Sequence, residues 1–142
     1  MAEKNILVCF DGTELSAKAL DMAIDFAKAD EGIHLDVVYV APIPALSEED
    51  QQKYAELLDM LTKDCRDILY QAQDQLDGLE GRYETFLVKG SDPAAELLKL
   101  IDARDYYLAI IGSRGLTGIK GYVGSVSYKV LQNANIPVLI TK

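Results

Sequence analysis

Residues 5–40 read NILVCFDGTELSAKALDMAIDFAKADEGIHLDVVYV, and their reading decides the fold. Asn5 to Phe10 is a short continuous apolar run, the pattern of a strand buried on both faces. Asp11-Gly12-Thr13 breaks it. From Glu14 to Ala29, Leu15, Ala19, Met22, Ala23 and Phe26 recur at helical spacing, and Gly32 reads as the stop. His34 to Val40, rich in β-branched residues, is a second strand. A buried strand, an amphipathic helix and a second buried strand make a βαβ unit, which implies parallel pairing.

The remaining chain repeats the alternation. Ala41-Pro42-Ile43-Pro44 is a loop, because proline continues neither helix nor strand interior. Ser47 is a helix cap, and Glu48-Glu49-Asp50 suits the first turn. One long helix is then predicted to near Gly78, on an apolar stripe of Tyr54, Leu57, Leu58, Leu61, Cys65, Ile68, Leu69, Ala72 and Leu76. Tyr83–Val88 is a third strand. Asp92-Pro93 opens a helix to about Asp102. Tyr107–Ile111 is a fourth strand, about 125–132 a final helix, and Ile136–Thr141 a fifth strand. The expectation is one domain over residues 1–142: an open parallel sheet with helices on both faces. In such sheets ligands sit at the carboxyl ends of the strands, where the strand order reverses.

Composition excludes several functions. At 49% hydrophobic and 26% charged, the chain is expected to be soluble and globular. No apolar run reaches membrane-spanning length and no signal peptide is read, so a cytoplasmic protein without membrane partners is expected. Cys9 and Cys65 read as a reduced pair. The only histidine, His34, has no partners at metal-ligand spacing, so no metal ligand is assigned. A net charge of −9 disfavours nucleic acid. That charge is uneven. Residues 106–142 hold no Asp or Glu but four cations, Arg114, Lys120, Lys129 and Lys142, which leaves −13 on the first 105 residues. A carboxylate-free tail makes room for an anion; chance together with two buried strands, where charges are scarce anyway, is the alternative.

Within that tail, residues 112–125 read GSRGLTGIKGYVGS, with glycine at every third position. About a dozen residues separate the fourth strand from the last helix, against the usual 2–6. Glycine lets backbone N–H groups turn toward an anion. Gly124-Ser125 opens a helix whose free N–H groups favour phosphate. Ser125 and Ser127 add hydroxyls. A flexible surface loop is the alternative. GxxxxGK[ST] is absent, so this is not a P-loop, and Asp-Gly-Thr after the first strand is not a dinucleotide fingerprint.

Gly112-Ser-Arg-Gly115, then Gly124-Ser125-Val126-Ser127, then Pro137-Val-Leu-Ile140, together with Val8-x-x-Asp11-Gly12-Thr13 and Gly90-x-x-Pro93, resemble the universal stress protein family over the whole chain. The resemblance implies a sheet of order 3-2-1-4-5 with an adenine-nucleotide α-hydrolase-like fold. It also implies a homodimer and, for one branch of the family, ATP binding, with Mg²⁺ bridging the phosphates. That branch has nine residues between the second and third glycines of its motif; this chain has eight between Gly115 and Gly124. Carried over by match, Asp11, with Gly12 and Thr13, faces the adenine end, and the Val40 backbone pairs with the adenine edge. Gly112, Arg114 and Gly115 contact ribose and phosphate. Gly124, Ser125 and Val126 hold phosphates, with Ser127 nearby. For Asp11 a plain turn or cap role is the alternative. The final strand, Ile136 to Thr141, is the expected dimer edge, with a monomer blunted by Lys142 as the alternative.

Three functional classes follow. The first is a nucleotide-responsive stress or regulatory protein without catalytic residues, since no general base or nucleophile stands beside the proposed phosphates; slow ATP hydrolysis is its only enzymatic expectation. The second is a dimeric interaction protein that has lost nucleotide binding. The third, a phosphoryl-accepting domain, needs clustered carboxylates that Asp11 alone does not supply.

Overall fold

A computed structural model describes residues 3–113 and 124–142 of the chain. In chain order the elements are β1 (Lys4–Cys9), α1 (Glu14–Ala29), β2 (Ile33–Ala41), α2 (Glu48–Lys53), α3 (Ala55–Gln75), β3 (Tyr83–Lys89), α4 (Pro93–Ala103), β4 (Leu108–Gly112), α5 (Ser125–Asn133) and β5 (Val138–Thr141). The strands form one parallel sheet in the order β3-β2-β1-β4-β5. Ile6 sits between Leu35 and Leu108, so the apolar run of β1 is the spine of the sheet.

Each face carries its own core. Ile6, Val8, Leu35 and Val37 pack with Ala19, Leu20, Ala23 and Ala27 of α1 and with Ala72 of α3. Leu7, Val38, Ala109 and Ile111 pack with Ala94, Leu97 and Ile101 of α4 and Val130 of α5. Alternate residues of one strand thus feed opposite layers, which is why β1 has no polar face.

Five details differ from the sequence reading. The single long helix is two. It breaks at Tyr54, which ends α2 and starts α3 without a side-chain cap. The stripe predicted along it is buried only toward its end. Cys65, Leu69, Ala72 and Leu76 are buried, while Tyr54, Leu57 and Leu61 are exposed, because only the carboxyl half of α3 lies over β2, β3 and α1. In α1, Met22 faces out and Leu20, Ile24 and Ala27 carry the buried stripe. Nor does Gly32 end α1: Asp30 leaves the helix in extended conformation, and its carboxylate accepts from Gly32 N–H at 2.9 Å. The fifth strand begins at Val138, two residues later than read. No helix among the described residues is long and apolar enough to cross a membrane.

Candidate functional site

The order β3-β2-β1-β4-β5 reverses between β1 and β4. α1 leaves β1 on one face, while α4 and α5 cover the other. A cleft of about 310 Å³ opens at the carboxyl ends of these strands. β1 supplies Cys9, Phe10 and Asp11; β2 supplies Val38, Tyr39 and Val40; β4 supplies Ile111 and Gly112. Pro93 and Leu97 of α4 and Val126 and Ser127 of α5 close it. The walls are mostly apolar, as a flat aromatic ligand needs, with polar side chains at the start of α1 (Asp11, Thr13 and Ser16) and at the start of α5 (Ser127).

The turn after β1 is built from its own side chains. Asp11 Oδ1 accepts from Thr13 N–H at 3.0 Å and from the Thr13 hydroxyl at 2.5 Å. Thr13 Oγ1 accepts in turn from Ser16 N–H, capping α1. Gly12, at φ +81°, occupies the left-handed region that the turn requires, and a Cβ there would stand 3.1 Å from Ile68 Cγ2. One carboxylate oxygen of Asp11 therefore holds the turn. Among the described residues, Oδ2 makes no hydrogen bond. The plain turn role considered for Asp11 is real, and it leaves half of the carboxylate free at an exposed rim.

β2 outruns β1. Phe10 N–H donates to the Val38 carbonyl at 2.9 Å, and pairing of β1 with β2 ends at Cys9 and Val38. Peptide groups alternate sides along a strand. Those of Val40 therefore point the same way as Val38's, past the end of β1 and into the cleft. An edge of unpaired backbone next to apolar walls is suited to reading the edge of a planar base.

α5 begins where β4 ends. Gly124 is its N-cap, and a glycine has no side chain with which to cap. The first intrahelical bond runs from Tyr128 N–H to the Gly124 carbonyl, and Gly124 N–H itself donates to the Ser113 carbonyl. The N–H groups of Ser125, Val126 and Ser127 thus have neither a helical partner nor a cap. By contrast Asp92 caps α4, accepting from Ala95 N–H at 3.2 Å. Of the two helices that begin at this cleft from the α4–α5 face, only α5 presents an open, electropositive end among the described residues.

Two predicted residues also have structural duties. The buried Ser127 hydroxyl donates to the Gly112 carbonyl at 2.5 Å. At Gly112, a Cβ would stand 3.1 Å from the carbonyl carbon and Cβ of Leu15. Asp11, Thr13, Val40, Gly112, Val126 and Ser127 converge on the cleft. Gly12 lies behind it, and Gly124 and Ser125 form the start of α5. Arg114 and Gly115 lie outside the described residues. Sequence reading missed Cys9, Tyr39, Pro42, Pro93 and Leu97, which enter as walls; their apolar character offered no chemical signal.

Cys9 and Tyr39, two titratable walls, are held neutral. Burial, with the nearby Asp11 charge adding, pushes the Cys9 thiol up to about 12. Burial and the neighbouring Cys65 push Tyr39 up to about 12. Both cysteines are free.

Fold and cleft together define a doubly wound α/β protein with its pocket at the switch point. The chain belongs to the universal stress protein family, whose family model matches residues 3–142. It is 32% identical over 145 aligned residues to the universal stress protein YxiE of Bacillus subtilis, covering 96% of this chain and 97% of that one. The universal stress protein UspA of Lactobacillus plantarum superposes with a TM-score of 0.83 at 20% identity, over 100% of this chain and 99% of that one. A universal stress protein in complex with cAMP matches with a TM-score of 0.66 at 26% identity, over 99% of this chain and 98% of that one.

Proposed function

We propose that this protein binds an adenine nucleotide, ATP with Mg²⁺, in the cleft at the ends of β1 and β4, and acts as a nucleotide-responsive regulator. The observation that carries the reading is the uncapped N-terminus of α5, aimed into an apolar cleft at the switch point. The family member bound to cAMP supports the adenine class. In this reading Asp11 Oδ2 accepts from the adenine amino group, and Val40 backbone groups pair with the ring edge. The N–H groups of Ser125, Val126 and Ser127 receive phosphate oxygens. Gly112, Arg114 and Gly115 flank ribose and phosphate. Asp11 is the cleft's carboxylate among the described residues and stands at the base end, so Mg²⁺ is held by phosphates and water. Cys9 and Tyr39, kept protonated, offer no general base, which accords with a binding protein rather than an efficient hydrolase. Two copies pair through β5, whose second edge has no strand beside it among the described residues.

Isothermal titration of nucleotide-free protein with Mg-ATP, with GTP and AMP as controls, tests the reading. Heat with ATP and none with GTP is the expected outcome. No heat with any nucleotide would overturn it in favour of a dimeric interaction protein.

A further inference from the structure

The opposite end of the sheet carries a second cluster. His34 and Asp36 lie two residues apart on β2, so their side chains share a face, and Glu84 on β3 is the direct register partner of Asp36. One ligand atom from each, an imidazole nitrogen and two carboxylate oxygens, lie within 4.8 Å of one another. His34 Nε2 faces Asp36 Oδ1 at 3.3 Å. Two ligands about 2.0–2.1 Å from one tetrahedral ion stand about 3.3 Å apart, so this pair is already at bite distance.

Asp36 is buried and fixed from behind. Its other oxygen, Oδ2, accepts from the Tyr106 hydroxyl at 2.6 Å and from Arg104 Nη1 at 3.2 Å. The Arg104 guanidinium lies 4.8 Å over the Phe86 ring while bonded to Oδ2. These bonds orient a carboxylate as outer partners orient a metal ligand. The cluster lines a cavity of about 370 Å³ that also contains Glu3 and Asp105, so four carboxylates face one guanidinium.

We propose that His34, Asp36 and Glu84 form a site for a first-row divalent transition ion, of which zinc is the probe. One imidazole and two carboxylates suit zinc and its neighbours, whereas magnesium and calcium take oxygen ligands. Val40 lies four steps along β2 from Asp36, about 13 Å of strand, so this ion and any nucleotide occupy separate ends of the sheet.

Titration of chelator-treated full-length protein with Zn²⁺, with Mg²⁺ as control, tests the site. Expected is one Zn²⁺ per chain, no Mg²⁺ response, and affinity weakened about 10–100-fold by Glu84→Gln and at least as much by His34→Ala. His34 is partly exposed and Glu84 exposed, so both variants fold. Their melting temperatures without metal check this, and only the parent should gain stability from Zn²⁺. Co²⁺ substitution should give the visible spectrum of nitrogen and oxygen ligation without thiolate charge transfer. Absence of Zn²⁺ binding, affinity unchanged in both variants, or a thiolate spectrum reporting Cys9 or Cys65 would each overturn the proposal.

Discussion

The Ser127 hydroxyl donates to the Gly112 carbonyl oxygen across 2.5 Å, tying the first turn of α5 to the last residue of β4. The bond does two things. It satisfies a carbonyl that the ending sheet leaves beside a buried side chain, and it holds the open end of α5 over the cleft. Ser127→Ala leaves that carbonyl unpaired and is expected to cost about 1–3 kcal/mol in urea unfolding. It should also weaken ATP binding, because the unpaired N–H groups lose their placement. Unchanged stability would show that water replaces the hydroxyl freely.

Gly112→Ala tests the other side of the same junction. The new Cβ would sit 3.1 Å from Leu15 backbone, which cannot swing aside as a flexible side chain can. Overpacking of this kind typically costs about 1–3 kcal/mol. Gly78 makes a useful contrast. It has φ +93° with open space around its Cβ position, so Gly78→Ala bears only the left-handed backbone cost of about 1–2 kcal/mol. Melting curves should show Gly112→Ala perturbing nucleotide affinity and Gly78→Ala leaving it intact.

Asp11→Asn separates structure from recognition. Asparagine keeps Oδ1 as an acceptor for Thr13, so the turn and the α1 cap survive, with stability changed by under about 0.5 kcal/mol. It replaces the free oxygen by an amide donor, which repels an amino group. ATP affinity should fall about tenfold or more, while GTP, which offers a carbonyl at that position, gains relative to ATP. Parallel loss for both nucleotides in a titration would remove Asp11 from base recognition.

Gly124→Val should abolish nucleotide binding, because a branched side chain would occupy the mouth of α5 where phosphate approaches. The same substitution spares β4 and the core, so the variant should keep its far-UV spectrum. Retained ATP affinity in that folded variant would refute the phosphate assignment.

Much of this architecture was legible because its signals are local. From Ile6 to Phe10 the chain is apolar without interruption, which only a strand covered on both sides tolerates, and His34–Val40 is rich in β-branched residues around His34 and Asp36. Ser47 and Asp92 stand before their helices as side-chain caps, and each accepts from a backbone N–H three residues on. The errors have a common origin. Tyr54, Leu57 and Leu61 keep helical spacing with the buried residues of α3, yet how far a helix extends beyond the sheet is a tertiary fact that periodicity does not encode. His34 looked partnerless for the same reason. Asp36 was two residues away, but Glu84 comes from a strand fifty residues on, placed beside it only by register. Asp11 and Val40, singled out through the family resemblance, do line the cleft, while walls such as Leu97 and Pro42 carry no signal until the fold assembles them.

Alkaline pH should reveal the acids whose titration the fold holds back. Cys9 has an ordinary value of 9.0 raised to about 12, and Tyr39 rises from 10.0 to about 12. Tyr106, buried and hydrogen-bonded to Asp36, moves in the same direction. For each, the folded state favours the protonated form more than the unfolded chain does. Their contribution is therefore fully present below the unfolded values and is lost as pH rises from about 9 toward about 12, since the unfolded chain gives up its protons first. Urea unfolding should give stability insensitive to these groups up to pH 9 and a fall above it. In Cys9→Ala the fall between pH 9 and 10 should flatten, whatever the cost of the smaller side chain at neutral pH, because Cys9 is the group whose unfolded value lies lowest. A native Cys9 that reacts with a disulfide reagent at pH 8 as fast as a free thiol, or an unchanged slope in Cys9→Ala, would show that solvent reaches the thiol and that burial does not set its titration.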